Sequence, residues 1–400
     1  MEIMSSGPNS IPAALLNRAS GGPDRRGACP TLHAPMQTGD GLLARLRIVS
    51  CRLTPAQLST LAMLAERHGN GLLEITARGN LQVRGLRSES APIFARAVSA
   101  QIPIEVGLNL DLSPLAGDDP TQLADPRPLA DAIRKGAEML VERLAPKTSV
   151  VIDGGGQISL AALKADIRLV ALPTSGWAIS LGGSKPQRTD ADGAVATALA
   201  VLGALAAIGP QARAFDLFPA TGGSVSPPRQ WRSSFALAQG NARAIALPLG
   251  SARSTDLIAL CEAAKACGVQ TLRLAPDHTL LLDNAPDDLV ARAESLGFIT
   301  GAEDARWRIS ACAGSVGCAS GHIPAREMAA ALARHLPPGQ NLHVSGCSKG
   351  CAHPRPADLT LVGQPDGIGL VINGRAGDTP RQVLDAAAVL AGGIPFRDGQ

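Results

Sequence analysis

Four of the eight cysteines in this 400-residue chain fall in one stretch, Ala311 to Pro356, as two pairs: Cys312 with Cys318, and Cys347 with Cys351. Five residues lie between the members of the first pair and three between those of the second, and Ala, Gly and Ser fill most of both gaps. Small residues let a chain wrap closely around a bulky object and bring thiolates to it without side-chain obstruction. Four thiolates on two short loops suit a cubane iron–sulfur (4Fe-4S) cluster, since such clusters are held by Cys at spacings that vary with cluster type. Structural zinc sites usually have two to four residues between paired cysteines, so the five-residue gap fits them poorly. Disulfides need an oxidising compartment, and nothing in the sequence points to one. Core thiols would occupy periodic apolar positions, whereas the neighbours here are glycines and polar residues.

The composition bounds what such a centre could serve. Lys and Arg number 37 against 34 Asp and Glu, a net charge of +3, so no basic field on the scale of nucleic-acid binding is implied. Aromatic residues make up 2% and Tyr is absent, which removes base-stacking platforms. The start of the chain lacks a charged segment followed by an apolar core and cleavage site, so no secretion signal is expected. The most apolar stretch, Ala194 to Ile208, is shorter than the ~20 residues that span a bilayer and reads as a buried helix. The expectation is a cytoplasmic protein without nucleic-acid or membrane partners, where reduced thiols favour metal or cluster ligation.

The elements that must position the cysteines show a duplication. LLARLRIVS (42–50) alternates as a strand; Thr54-Pro55-Ala56-Gln57 is a capping-box start; Leu58, Leu61, Leu64 and Ala65 form a helical stripe that Gly69 closes. LLEIT and LQVRGL read as strands joined at Ala77 to Asn80, and a helix follows over Ser90 to Ala100. The order strand–helix–strand–strand–helix recurs from AIALPLG (244–250) through a helix over Ser254 to Gly268, strands TLRLAP and TLLLD, and a helix over Pro286 to Gly297. Cys261 and Cys267 lie on that first helix as core or exposed thiols. Arg78 and Arg273 are expected at matching turns. A second pair of units also repeats. Asp125-Pro126 opens a helix to Leu144 as Pro324 opens one to Leu336; SVVID (149–153) matches LHVSG (342–346), and ADIRLV (165–170) matches ADLTLV (357–362). A duplication this regular implies pseudo-twofold architecture. Where the second copy has its cysteine loop, the first has Gly154-Gly155-Gly156, so only the second copy carries a cluster. Residues 220–241 read as a linker, and Thr379-Pro380 as the start of a tail helix.

The cysteine spacing, with GCSKGC as its second half, resembles the cluster-and-sirohaem signature of the sulfite and nitrite reductases. Within that superfamily the chain resembles the precorrin-3B synthase family, through RRGACP (25–30), APMQTGDG (34–41), EITARGNLQVRGL (74–86) and SPLAG (113–117) over nearly its whole length. The resemblance implies an α+β, internally duplicated nitrite/sulfite reductase-like fold, with two ferredoxin-like half-domains and two α/β cluster-type domains in pseudo-twofold arrangement. The expected boundaries are an N-terminal arm at 1–40, half-domains at 41–110 and 242–305, a cluster-less domain at 111–219, the linker, and a 4Fe-4S domain at 306–400. It also implies that Cys351 bridges the cluster to a second iron centre, or to sirohaem if the chain is a reductase.

Sirohaem and precorrins are tetrapyrroles fringed with carboxylates, which guanidinium forks bind bidentately. A basic pocket between the copies is therefore expected, with Arg45, Arg47, Arg78, Arg84, Lys147, Arg273 and Lys349 as candidates. Lys147 and Arg78 are given the catalytic role. Two departures separate the chain from the reductases. Leu108-Asn109 stands where they carry Arg-Asn, and Ser149 stands where they carry a second lysine beside the one matched by Lys147. An anion taken out of water must be paired, so their absence argues against sulfite or nitrite as substrate. The resemblance then implies an oxygen-dependent monooxygenase that converts precorrin-3A to precorrin-3B, with a cluster, a second iron centre, O2 and NAD(P)H-derived electrons. No G-x-G-x-x-G opens a helix after a strand, so a separate ferredoxin or reductase is expected to feed the cluster. The ligands of the second iron are not legible: His322, His343 and His353 read as hydrogen-bonding or surface residues, and Cys29 with His33 as metal ligands or a packed arm. The rival readings are a sirohaem-dependent sulfite or nitrite reductase and a non-enzymatic iron–sulfur electron carrier.

Overall fold

The computed structural model describes residues 29–219, 231–353 and 355–391. They form two compact units, one of Cys29, 105–219 and 236–241, the other of 30–104, 231–235 and 242–391.

The larger unit contains both strand–helix–strand–strand–helix repeats. Helix Pro55–His68 starts where Thr54 and Gln57 exchange side-chain and backbone hydrogen bonds, and stops where the Gly69 N–H donates to the Ala65 carbonyl. It buries Leu58, Leu61, Ala62 and Ala65 against a sheet whose strands turn Ala44, Leu46, Leu73, Ile75, Leu81 and Val83 to the same core. Each repeat then lends a strand to the other. After strand Gly41–Leu46 a tight turn at Val49–Cys51, with Ser50 and Cys51 both at φ 56°, sends Arg52–Leu53 to pair with Leu272–Ala275 of the second repeat. Reciprocally, the turn Pro248–Gly250, with Leu249 at φ 54°, sends Ser251–Arg253 to pair with Leu72–Ile75 of the first. The resulting five-stranded sheets share one core, in which Leu46, Leu61 and Phe94 lie with Leu260, Leu274 and Phe298.

The rest of the larger unit is a sheet in which Ile309–Ala311, Leu342–Ser345 and Ala357–Gln364 run parallel and Gly367–Gly374 and Gln382–Leu384 return antiparallel. The smaller unit repeats this topology. Asn109–Leu112, Ser149–Asp153 and Ile167–Ala171 are parallel, and Trp177–Leu181 and Gln187–Thr189 antiparallel. The duplication expected from the sequence thus appears in both kinds of domain. The apolar helix is Ala191–Ile208; its length and mean hydropathy of 1.9 would suit a membrane span by composition alone. It lays Ala194, Ala198, Val201, Leu202 and Leu205 into the core of its unit and packs on helix Arg127–Ala137.

Several expectations are corrected. Arg273 is not at a turn but inside strand Leu272–Ala275, so the position matching Arg78 in the second repeat falls near Asp277. The helix expected to reach Leu144 ends its α-helical part at Ala137, just after Gly136, and continues as a 3-10 segment Glu138–Arg143. The helix opened by Pro324 likewise changes at Leu332. Thr379-Pro380 leads into strand Gln382–Leu384, and the tail helix starts only after Asp385, whose carboxylate caps it. Residues 36–38 of the expected arm are an edge strand on Gly41–Leu46, and Leu32 is core. Residues 220–230 of the expected linker and Arg25 to Ala28 of the RRGACP motif lie outside the described residues.

Candidate metal centre

Strands Ile309–Ala311 and Leu342–Ser345 are parallel neighbours, and both cysteine loops leave their carboxyl ends. That edge of an open parallel sheet is where ligands are commonly bound. Cys312 follows the first strand at once; one turn, Gly314–Gly317, separates it from Cys318. Cys347 follows the second strand after Gly346.

The loops meet backbone to backbone. A Cβ on Gly346 would stand 2.9 Å from the Gly314 Cα, 3.3 Å from the Gly321 Cα and 3.4 Å from the Cys312 Sγ. The Gly346 N–H donates to that sulfur at 3.1 Å, while the His322 N–H donates to the Gly346 carbonyl at 2.8 Å. The Ser345 hydroxyl donates to the Cys347 carbonyl at 2.7 Å. Cys312, Cys318 and Cys347 are half-buried and Cys351 is exposed; none of the eight cysteines is in a disulfide. Although Cys351 is exposed as a residue, partial desolvation of its thiol pushes it up, and the charges of Cys312, Cys347 and Cys318 push the same way against Lys349. Among the described residues no three His, Cys, Asp or Glu side chains close on a single ion. Four thiols on loops that leave two neighbouring parallel strands are, by residue type, a donor set that suits an iron–sulfur cluster. Cys261 is the contrast: it is fully buried, and burial pushes its thiol to about 12, which makes it inert. Cys267 is exposed.

A polar row lies behind the first loop, on the first half-domain. Arg84, 6% exposed, chelates Asp40 through Nε at 2.9 Å and Nη2 at 2.8 Å, and Nη2 also donates to the Gly317 carbonyl at 2.6 Å. Glu74 is 3.7 Å from Arg84 and accepts from Arg326 at 2.6 Å. With its amide oriented to match its neighbours, Gln82 donates to Glu74 and accepts from Arg45 at 2.7 Å. Burial alone would raise the Asp40 carboxyl, but the Arg84 hydrogen bond and charge outweigh it and hold it below its ordinary value. Sequence reasoning missed Asp40, Glu74 and Arg326 as partners. The available signal was the run Leu81-Gln82-Val83-Arg84, in which polar residues alternate with core residues inside a buried strand.

Arg84 also lines a cavity of about 490 Å³ within the larger unit, walled by Ala313, Val316 and Gly317 on the cysteine loop. Its lining is balanced, with Arg84, Arg253 and Arg326 against Asp40, Asp256 and Glu327, so this cavity is not the basic hollow the sequence led us to expect. Of the other candidates, Arg273 is 3% exposed and locked to Asp283 at 2.6 Å. Arg45 and Arg47 are half-buried on strand Gly41–Leu46 and just beyond it, and Arg78 is half-buried in the turn between Leu72–Ile75 and Leu81–Leu86. Lys349 is exposed on the second cysteine loop and reaches the Ser320 hydroxyl at 3.0 Å.

Lys147, on the smaller unit, is exposed on a turn braced by Asn109, whose amide donates to the Pro146 and Thr148 carbonyls, each at 3.1 Å. Ser149 is 5% exposed, its N–H donating to Asp166 at 3.0 Å, so the place of the second lysine is turned inward here. His343 is neither at the surface nor hydrogen-bonded: it is fully buried with both ring nitrogens unpartnered, 5.6 Å from the His353 ring. Burial, then the charge of His353, lowers it to about 4, so it is neutral.

Residues 34–100 match the nitrite/sulfite reductase ferredoxin-like half domain. A precorrin-3B synthase from Sinorhizobium is 41% identical over 393 residues, covering 90% of this chain and 86% of that protein. The ferredoxin–nitrite reductase of Synechococcus elongatus is 25% identical over 84% of this chain and 80% of its own length. The solved structure of the Mycobacterium tuberculosis NirA protein superposes with a TM-score of 0.66 over 86% of this chain and 77% of its own, at 18% identity, and shares the fold. Taken with the duplicated half-domains and the paired cysteine loops, the 41% identity over nine-tenths of the chain makes it a member of the precorrin-3B synthase family, oxidoreductases on the nitrite and sulfite reductase fold.

Proposed function

We propose that this chain is an oxygen-dependent monooxygenase converting precorrin-3A to precorrin-3B in aerobic cobalamin biosynthesis, by hydroxylating a meso carbon and closing a ring-A acetate to a lactone. One atom of dioxygen enters the product and the other leaves as water, with two electrons and two protons consumed. The observation that carries this reading is the 41% identity to a precorrin-3B synthase across 90% of the chain.

Cys312, Cys318, Cys347 and Cys351 would hold a 4Fe-4S cluster, with Cys351 also the candidate bridge to a second iron centre. When bound, the cluster supplies electrons one at a time. The remaining work falls to the chain's own side chains. Arg45, Arg47, Arg78, Lys147 and Lys349 are the cations offered to substrate carboxylates, the arginines as bidentate forks. Arg78 fixes an acetate in place, and the exposed ammonium of Lys147 is a proton source. Arg84 and Arg273 lie buried in ion pairs with Asp40 and Asp283, which suits them to holding the scaffold rather than a substrate. A separate ferredoxin or reductase, drawing on NAD(P)H, delivers the electrons, and the enzyme works in the cytoplasm.

A second reading, a sirohaem-dependent nitrite or sulfite reductase, draws on the 25% identity to a nitrite reductase. The buried Ser149 weighs against it, since an oxyanion site needs its cations. Anaerobic purification with iron and sulfide assays and spectra, then addition of precorrin-3A, oxygen and a reductase system, separates the two. The expected result is a cluster spectrum and consumption of precorrin-3A. Bound sirohaem, reduction of sulfite or nitrite and unchanged precorrin-3A would overturn the proposal.

A further inference from the structure

On the reading that the four cysteines hold an iron–sulfur cluster, we infer that Arg84 is a positioning residue that raises the cluster's reduction potential. It fixes the peptide before Cys318 and holds a buried positive charge beside it.

The Arg84 guanidinium donates to the carbonyl of Gly317, the residue immediately before Cys318, at 2.6 Å. The Gly39 N–H donates to the same carbonyl at 3.3 Å, so strand and arm both grip the loop at this peptide. No side chain could intervene: a Cβ on Gly317 would meet the Arg84 Nη2 at 2.8 Å. The cation is retained in a dry place only because Asp40 chelates it and Glu74 stands 3.7 Å away. An apolar side chain of the same volume would pack strand against loop without the desolvation cost. What the guanidinium adds is a donor aimed at the loop and a fixed positive charge at the peptide that precedes Cys318. Charges and hydrogen bonds around the sulfurs are among the features that set a cluster's potential. Reduction of a bound cluster would add one electron, and with it one negative charge, to the cluster as a whole. A cation held in low dielectric favours the reduced form, and Asp40 opposes it.

The test uses the full chain, purified anaerobically as wild type, Arg84→Gln, Arg84→Lys and Asp40→Asn. Iron and sulfide are assayed first, and the midpoint potential is then measured by dithionite titration followed by electron paramagnetic resonance. Arg84→Gln should move the midpoint negative, Arg84→Lys should stay near wild type, and Asp40→Asn should move it positive. Opposite signs for Arg84→Gln and Asp40→Asn are the signature of charge; shifts in the same direction, or an unchanged midpoint in an intact Arg84→Gln cluster, would overturn the inference. If Arg84→Gln loses its cluster, Asp40→Asn decides alone, a positive shift supporting the inference and any other result defeating it. Wild-type protein without iron and sulfide would instead defeat the cluster reading, before any potential is compared.

Discussion

Replacing Gly346 by Ala adds one methyl group where the two cysteine loops cross. Its carbon would lie 2.9 Å from the Gly314 Cα and 3.3 Å from the Gly321 Cα, against the ~3.5–4.0 Å at which carbon atoms rest. Both obstacles are backbone, so no rotamer change relieves them. The loops must part by about half an ångström or more, and the Cys312 Sγ, 3.4 Å from the new carbon, must move with them. Overpacking of this kind costs about 1–3 kcal/mol. At ~1.4 kcal/mol per tenfold, that is roughly a 5- to 150-fold loss in the equilibrium for the assembled site. The assay is iron and sulfide per chain after anaerobic reconstitution, with a urea denaturation midpoint on the same samples. Gly203→Ala is the control: it lies inside helix Ala191–Ile208 with nothing within 4 Å of its added Cβ, and should gain about 0.5–1 kcal/mol from helix propensity. If Gly346→Ala kept wild-type iron, sulfide and midpoint, the close crossing of the two loops would be wrong.

Four further outcomes are expected. Cys347→Ser should lose the iron–sulfur absorbance while Cys267→Ser, on an exposed thiol, keeps it; equal loss would mean that the ligands are misassigned. At pH 8 iodoacetamide should label Cys267 in the folded chain but Cys261 only after denaturation, because burial pushes the Cys261 thiol to about 12. Asp166 is fully buried and accepts from Arg213, Ser149 and Ala214, so Asp166→Asn should destabilise the smaller unit by about 3–5 kcal/mol, read from Trp177 fluorescence in urea. The depressed Asp40 carboxyl contributes stability that is complete well above its ordinary value of 3.8 and is lost as pH falls below it. The stability gap between wild type and Asp40→Asn should therefore narrow from pH 5 to pH 3, and a gap that widened would contradict the Arg84 pairing.

Much of the scaffold was legible because its signals are local. The capping box at Thr54, the stripe through Leu58, Leu61 and Ala65 and the alternation in LQVRGL each announce an element within a few residues. The second copies repeat those signals closely enough to reveal the duplication. The strand exchange was not legible: Arg52–Leu53 is two residues long, carries no periodicity, and pairs with a strand at Leu272–Ala275. The same lack of landmarks let Arg273 pass for a turn residue when it is a strand residue held by Asp283. Among the candidate site residues, the cysteines stand out in the sequence by their spacing alone, whereas the arginines do not. Whether an arginine faces a ligand or an internal carboxylate depends on partners outside its own strand, Asp40 far back along the chain for Arg84 and Asp283 across a hairpin for Arg273. Ser149 was read as a missing cation; the structure adds that its strand position is interior.

The central claim is that the chain inserts one atom of dioxygen into a tetrapyrrole. It is tested most directly by incubating the anaerobically purified protein with precorrin-3A, a reductase system and 18O2, and weighing the product by mass spectrometry. A product heavier by a single 18O atom, with no incorporation from labelled water, is the predicted result. Unlabelled or unchanged precorrin-3A from protein that holds its full iron and sulfide would contradict it.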